Sequence, residues 1–229
     1  MENAGDFRNG VAELWRSRSS ISREHIFGPD DSLRPISNQS DVDTAAVGAM
    51  GENYIAGGLA LLSVNPAGGK DDAVASKSDK EMYQLFRSLR DATPTDVALR
   101  LRQASDVVFR QMPGWTVYNQ HIAPILDALA RNRHDIAYIY VVPFRTRGDK
   151  AALIKPAMVD NAWREGLELQ LASLKPGTIV TIDRISESIA NRYAEMADHP
   201  VVVWYYTRKR DAHAERRETL KKMAELRVS

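Results

Sequence analysis

Four short runs of unbroken apolar residues constrain this chain more than any other feature: GLALLSV (58–64), IAYIYVV (136–142), TIVTI (178–182) and PVVVWYY (200–206). Each is rich in β-branched, aromatic or leucine side chains. None alternates polar with apolar residues, as a strand with one wet face would. Continuous apolarity over so short a span marks a strand covered on both sides.

Helical patterns separate the runs. SDKEMYQLFRSLRDA sets Met82, Leu85, Phe86 and Leu89 on one face behind an N-cap candidate, Ser78. TPTDVALRLRQASDVVFRQM opens on a Thr-Pro helix start, and NQHIAPILDALARN, PAMVDNAWREGLELQLASL, ISESIANRYAEMA and DAHAERRETLKKMAEL complete the set. Strands joined through helices pair in parallel by crossovers. The expected fold is therefore a three-layer α/β/α sandwich with a four-stranded, mostly parallel sheet. RNGVAELWRSRSSI reads as a short helix and precedes a stretch at 28–56 rich in Gly, Pro, Ser, Asp and Asn. Residues 1–56 read as an N-terminal arm wrapped on a main domain of 57–229.

Composition narrows the chemistry. The 229 residues hold no cysteine, which excludes disulfides, thiol catalysis and cysteine-ligated metals. The 31 basic and 30 acidic residues nearly cancel, so a polyanionic partner would have to meet a local patch. No apolar window is long enough to span a bilayer, and MENAGDFRNG lacks the basic and apolar regions of a secretory signal. The expectation is a cytoplasmic protein that does not enter membranes, with no protein partner evident.

In open parallel sheets ligands bind beyond the carboxyl ends of the strands. That selects NPAGGKDD, PFRTRGDK, DRISES and TRKRDAH. In the first, Asn65 is the first polar residue after its strand. Pro66 holds Asn65 extended, Ala67, Gly68 and Gly69 allow close backbone approach, and Lys70 adds a charge. The same stretch also reads as an ordinary strand-to-loop turn.

LALLSVNPAG resembles motif A of the uracil-DNA glycosylase superfamily, nearest its mismatch-specific uracil/thymine branch. The later pieces follow in the family's order. KEMYQLFRSLRDAT resembles the helix after motif A, IAYIYVVPFRTRGDK the second core strand and its loop, and LKPGTIVTIDRISESIA the lysine-proline strand. VVVWYYTRKRDAHAERR stands in the place of motif B. The resemblance spans roughly 57–226 and leaves 94–133 as an extra helical insertion. It implies that Asn65 occupies the catalytic position and orients the water that hydrolyses the N-glycosidic bond of a nucleotide flipped out of DNA. It implies no metal and no cofactor. Asp71 and Asp72 have no third ligand spaced to join them.

The departures from the family pattern fall in the pocket. The uracil-reading asparagine is replaced by Tyr140, Val141 and Val142. The loop after motif A has no stacking aromatic, for which Tyr83 is the substitute, although a core role is the commoner one for a helix-face tyrosine. Motif B has Tyr205, Tyr206 and Thr207 in place of its histidine and asparagine. Arg145, Arg147, Asp149 and Lys150 instead bring donors and an acceptor to the ligand edge, suited to a bulky polar base such as the glucosylated hydroxymethylcytosine of phage DNA. A solvated loop with an internal Arg–Asp pair is the plainer alternative. The expected base pocket is thus Pro66, Ala67, Gly68, Tyr83, Tyr140, Arg145, Arg147 and Asp149.

The expected DNA contacts are Lys70, Thr207, Arg208, Lys209, Arg210 and His213, with Asp211 capping the last helix. The second half of that helix also fits a solvated face with pairs such as Glu218 and Lys222. His121 reads as a core or capping histidine, with catalysis the less common alternative, and His199 as solvent-facing; Trp115, Tyr118 and Asn119 read as packing residues, with cover for a flipped base as the alternative. Three functions follow: a DNA glycosylase for a modified base, a non-catalytic reader of modified or damaged DNA, and an unrelated α/β enzyme of free nucleotides. The RKR cluster argues against the last, since a free nucleotide offers fewer phosphates.

Overall fold

The computed structural model describes residues 4–29, 31–35, 43–66, 77–147, 153–207 and 212–226. Among them the chain is an α/β protein around a mostly parallel sheet of five strands, ordered β1-β3-β2-β4-β5. The four apolar runs supply β2 (Leu59–Ser63), β3 (Ile136–Tyr140), β4 (Thr178–Thr181) and β5 (Val202–Tyr205), all parallel to one another. Every residue of β2 and β3 is buried, as two-sided covering requires. β5, an edge strand, is partly exposed despite an equally apolar sequence.

The fifth strand corrects the expected count of four. β1 (Gly48–Met50) lies within the arm and pairs antiparallel with β3, Gly48 opposite Ile139. Gly48 has φ +118, and a Cβ there would meet the Tyr138 carbonyl at 2.0 Å, so only glycine allows this approach.

Two arm helices, α1 (Ala4–Ser19) and α2 (Arg23–Phe27), precede β1. α1 buries Val11, Ala12, Trp15 and Arg18 on one helical face. α3 (Lys77–Arg90) packs on α4 (Val97–Gln111), and α4 packs on β1, where the Ser105 hydroxyl accepts from Met50 N at 3.0 Å. A π-helical turn at Tyr118–Ile122 leads into α5 (Ala123–Ala128). The single helix expected over 156–174 is broken. α6 (Pro156–Ala162) and α7 (Glu168–Leu174) are separated by a segment in which Gly166 takes φ +111. α8 (Arg184–Met196) packs on β4 and β5, and α9 (His213–Leu226) packs on α5.

Candidate functional site

The strand order places β2 between β3 and β4. From β2 the chain moves to β3 on one side, then crosses to β4 on the other. Direction reverses at β2, and such reversals open the ligand crevice in α/β sheets. Asn65 follows β2 at its carboxyl end. Pairing continues just past the strands: Val141 N donates to Ser63 O at 2.9 Å and Val142 N to Val64 O at 2.8 Å. Asn65 therefore lies alongside the loop 143–147.

Asn65 is only 5% exposed. Its Nδ2 donates toward Thr146 Oγ1 at 3.2 Å, Pro66 O at 3.3 Å and Phe144 O at 3.4 Å. Two of these three acceptors are carbonyls, which cannot donate, and that fixes which end of the amide faces them. The side-chain oxygen is thereby turned away from them, and among the described residues no donor is recorded to it. A carbonyl oxygen held in this way can accept a hydrogen bond; it is not a strong base.

Asp183 is the residue that sequence reasoning missed. Its Oδ1 accepts from Ser186 N at 2.7 Å, capping α8. Its Oδ2 accepts from Ser186 Oγ at 2.9 Å and from Val64 N at 3.1 Å. One carboxylate thus fixes both the start of α8 and the backbone immediately before Asn65. The signal available in sequence was an aspartate three residues ahead of a serine at a helix start. Its reach to Val64 was not encoded locally.

The arm holds the opposite wall. Ala46 N donates to Pro143 O, and Arg147 N to Leu33 O, each at 2.7 Å. Arg23 donates from Nη1 to Arg145 O at 2.7 Å and from Nε to Asp31 at 2.5 Å. Its guanidinium lies 4.4 Å from the Phe27 ring centroid. Burial lowers the Arg23 pKa, and the Asp31 carboxylate opposes that shift. Deeper in, Arg18 is 1% exposed and donates from Nη2 to the carbonyls of Tyr140 at 2.6 Å and Val141 at 2.7 Å, and from Nη1 to Gln170. Desolvation lowers its pKa to about 9, so it remains a cation at neutral pH.

The remaining candidates divide between rim and core. Arg145 is half-buried and Arg147 exposed on the rim beside Asn65, and Pro66 is buried. Tyr83 is 0% exposed within α3, and Tyr140 is 4% exposed, its ring edge-on to Tyr138 at 5.1 Å. Both are core residues. Thr207 is buried just after β5. Tyr206, also buried, packs edge-on to His121, and burial raises its pKa while Arg216 opposes the rise. His213 is exposed, its Nδ1 at 3.2 Å from Arg216 Nη2. His121 is buried as expected, whereas His199 is only half-buried, with Nδ1 at 3.0 Å from Asp198. Trp115 packs on Tyr138, and Asn119 donates to Pro113 O at 2.9 Å. Ala67, Gly68, Gly69, Lys70, Asp71, Asp72, Asp149, Lys150, Arg208, Lys209, Arg210 and Asp211 lie outside the described residues.

Three described hollows lie away from Asn65. One of about 490 Å³, lined by Arg8, Met50 and Leu101, and one of about 400 Å³, lined by Leu59 and Thr178, sit toward the amino ends of the strands. A third, of about 340 Å³, runs between α6 and α8 and reaches Arg184. Among the described residues no group of three or more His, Asp or Glu is placed to hold a metal ion, and no helix is long and apolar enough to cross a membrane. No protein-family model matches this sequence, and no curated protein matches it.

Proposed function

We propose that the chain is a cytoplasmic DNA glycosylase, built on a three-layer α/β/α sandwich of the uracil-DNA glycosylase kind, that hydrolyses the N-glycosidic bond of a flipped-out modified base. The observation that carries this reading is the setting of Asn65: at the sheet's reversal point, with its amide nitrogen turned to Thr146 and Phe144 and its oxygen away from them. In the reaction that oxygen orients a water. The water oxygen bonds to the sugar C1′, the C1′–N bond breaks with its electron pair going to the base, and the proton that the water loses passes through solvent to the departing base. Arg145 and Arg147, with Asp149, would meet the base and its polar substituent, glucosylated hydroxymethylcytosine of phage DNA being the candidate. Such an activity would serve antiviral defence. Lys70, Thr207, Arg208, Lys209, Arg210 and His213 would hold the DNA backbone.

The test is incubation with duplexes carrying uracil, a thymine mismatch, hypoxanthine, hydroxymethylcytosine or its glucosylated form, followed by alkaline cleavage of abasic sites. Strand breaks at one modified base, reduced about a hundredfold or more in Asn65→Ala, are expected. No breaks at any of them would overturn the reading. The second reading, a reader of modified DNA without catalysis, draws on the same residue. Asn65 is 95% shielded, and its nitrogen is spent on the fold. Base-selective binding without strand breaks would favour it.

A further inference from the structure

Arg184 and Tyr205 are absorbed by no role so far, yet they share the rim with Asn65. Arg184 opens α8 directly after Asp183, the residue whose carboxylate holds Val64 N. Tyr205 ends β5, opposite Thr181 of β4. The Arg184 guanidinium carbon lies 3.9 Å from the centroid of the Tyr205 ring. Its Nη1 is engaged by Glu187 Oε2 at 2.5 Å.

These two contacts fix a plane. An exposed arginine normally samples many rotamers, and its guanidinium is useful for stacking only when its orientation is set. Here the guanidinium carbon stands over the tyrosine ring while one N–H donor is engaged by the Glu187 carboxylate. The Arg184 side chain is still 67% exposed. With one side of the guanidinium taken by the ring, the exposed area includes the side away from it, which is cationic. An exposed ion pair on its own contributes little to stability, so stability does not account for the arrangement. A flat cation over an aromatic ring is a surface that stacks on planar π-systems, the way guanidinium planes receive unpaired bases in nucleic-acid complexes.

We infer that Arg184 and Tyr205 form a stacking platform for an unpaired nucleobase next to the nucleotide held at Asn65. The inference rests on the glycosylase reading for its position on the rim, and it adds a site and a ligand class to it. Extruding one nucleotide leaves bases without their stacking or pairing partner, and a platform built on the two strands beyond β2, from the end of β4 and the end of β5, receives such a base. Recognition is of the π-face and tolerates any base, so it adds affinity for opened DNA without choosing sequence.

The test is equilibrium binding of a fluorescein-labelled duplex with a one-nucleotide unpaired position, carrying either a base or a tetrahydrofuran abasic analogue there, across a series of salt concentrations. Wild type is expected to bind the base-containing duplex about tenfold more tightly. Arg184→Lys keeps the charge and loses the plane; Tyr205→Leu keeps the arginine and loses the ring. Each is expected to abolish the preference while leaving abasic affinity, the salt slope and the melting temperature unchanged. The inference is overturned if wild type shows no preference for the base. It is overturned equally if both variants retain that preference, or if affinity falls alike for both duplexes, the mark of a phosphate contact. Arg184 is exposed, so Arg184→Lys keeps the test open should Tyr205→Leu fold poorly. A base preference in wild type with no cleavage of any modified duplex would remove the glycosylase reading and leave the platform standing.

Discussion

Replacing Asn65 by aspartate tests the geometry of the candidate site directly, because the substitution changes no atom's position and inverts what one end of the side chain can do. The amide nitrogen has two protons and faces three acceptors, Thr146 Oγ1, Pro66 O and Phe144 O. A carboxylate there can donate to none of them. If its buried setting raises the new carboxyl about 2.5 units above an unfolded value of about 3.9, ionising it in the native state costs about 3.4 kcal/mol. The sign follows from proton binding. The native state keeps a proton that the unfolded chain has lost, so stability is full below the unfolded pKa and is lost as pH rises through the native one. At pH 5 about 2 kcal/mol of that cost is recovered. Losing one N–H donor adds about 1 kcal/mol at either pH. Asn65→Asp should therefore be less stable than wild type by about 4 kcal/mol at pH 8 and by about 2 kcal/mol at pH 5. Urea denaturation of both proteins at both pH values reads this out. In melts it corresponds to a drop of roughly 10 °C at pH 8 and about half that at pH 5. A deficit that is equal at the two pH values, or absent, would mean that the amide does not face those carbonyls.

Three further outcomes follow from other contacts. Asp183→Ala removes the cap on α8 and the partner of Val64 N together, and should cost about 2 kcal/mol in urea denaturation; a cost under about 0.5 kcal/mol would show that neither contact matters. Gly48→Ala, with its Cβ driven to 2.0 Å from Tyr138 O at φ +118, should displace β1 and lower stability by more than about 3 kcal/mol, seen as a lost or strongly depressed melting transition. Burial raises the Tyr193 pKa to about 12 and raises that of Tyr54 as well. The unfolded chain ionises these phenols near pH 10 while the native state holds its protons, so the melting temperature should fall as pH rises above about 10. Tyr54→Phe, which gives up only a hydrogen bond to Leu174 O at 3.1 Å, should make that fall shallower.

Four of the five strands were legible because covering both faces of a strand leaves an unbroken apolar signature, as in Leu59–Ser63 and Ile136–Tyr140. β1 was not, because three residues carry no periodicity and its strand character comes from β3 and from Ser105, which bonds Met50 N. The break at Gly166 was missed for a related reason. Its neighbours are good helix formers, and a lone glycine among them does not announce that it takes a φ of +111, a conformation that favours glycine. In the site, Asn65 stood out because a proline after an apolar run marks a strand end. Asp183 did not, because a cap looks local whereas its bond to Val64 joins positions 119 residues apart.

The arm belongs to the same physical account as the rim. Ala46, Arg23 and Leu33 each make a backbone-directed bond to the loop 143–147, and Arg18 clamps the two carbonyls just before it. At about 1 kcal/mol for each neutral bond and more for those from the arginines, this loop is held far more firmly than a surface connection needs. Thr146 and Phe144, the acceptors that orient Asn65, lie on that loop. The orientation of the amide is therefore set at a distance, by residues of the N-terminal arm, and a site so preorganised spends little energy on rearrangement when a ligand arrives.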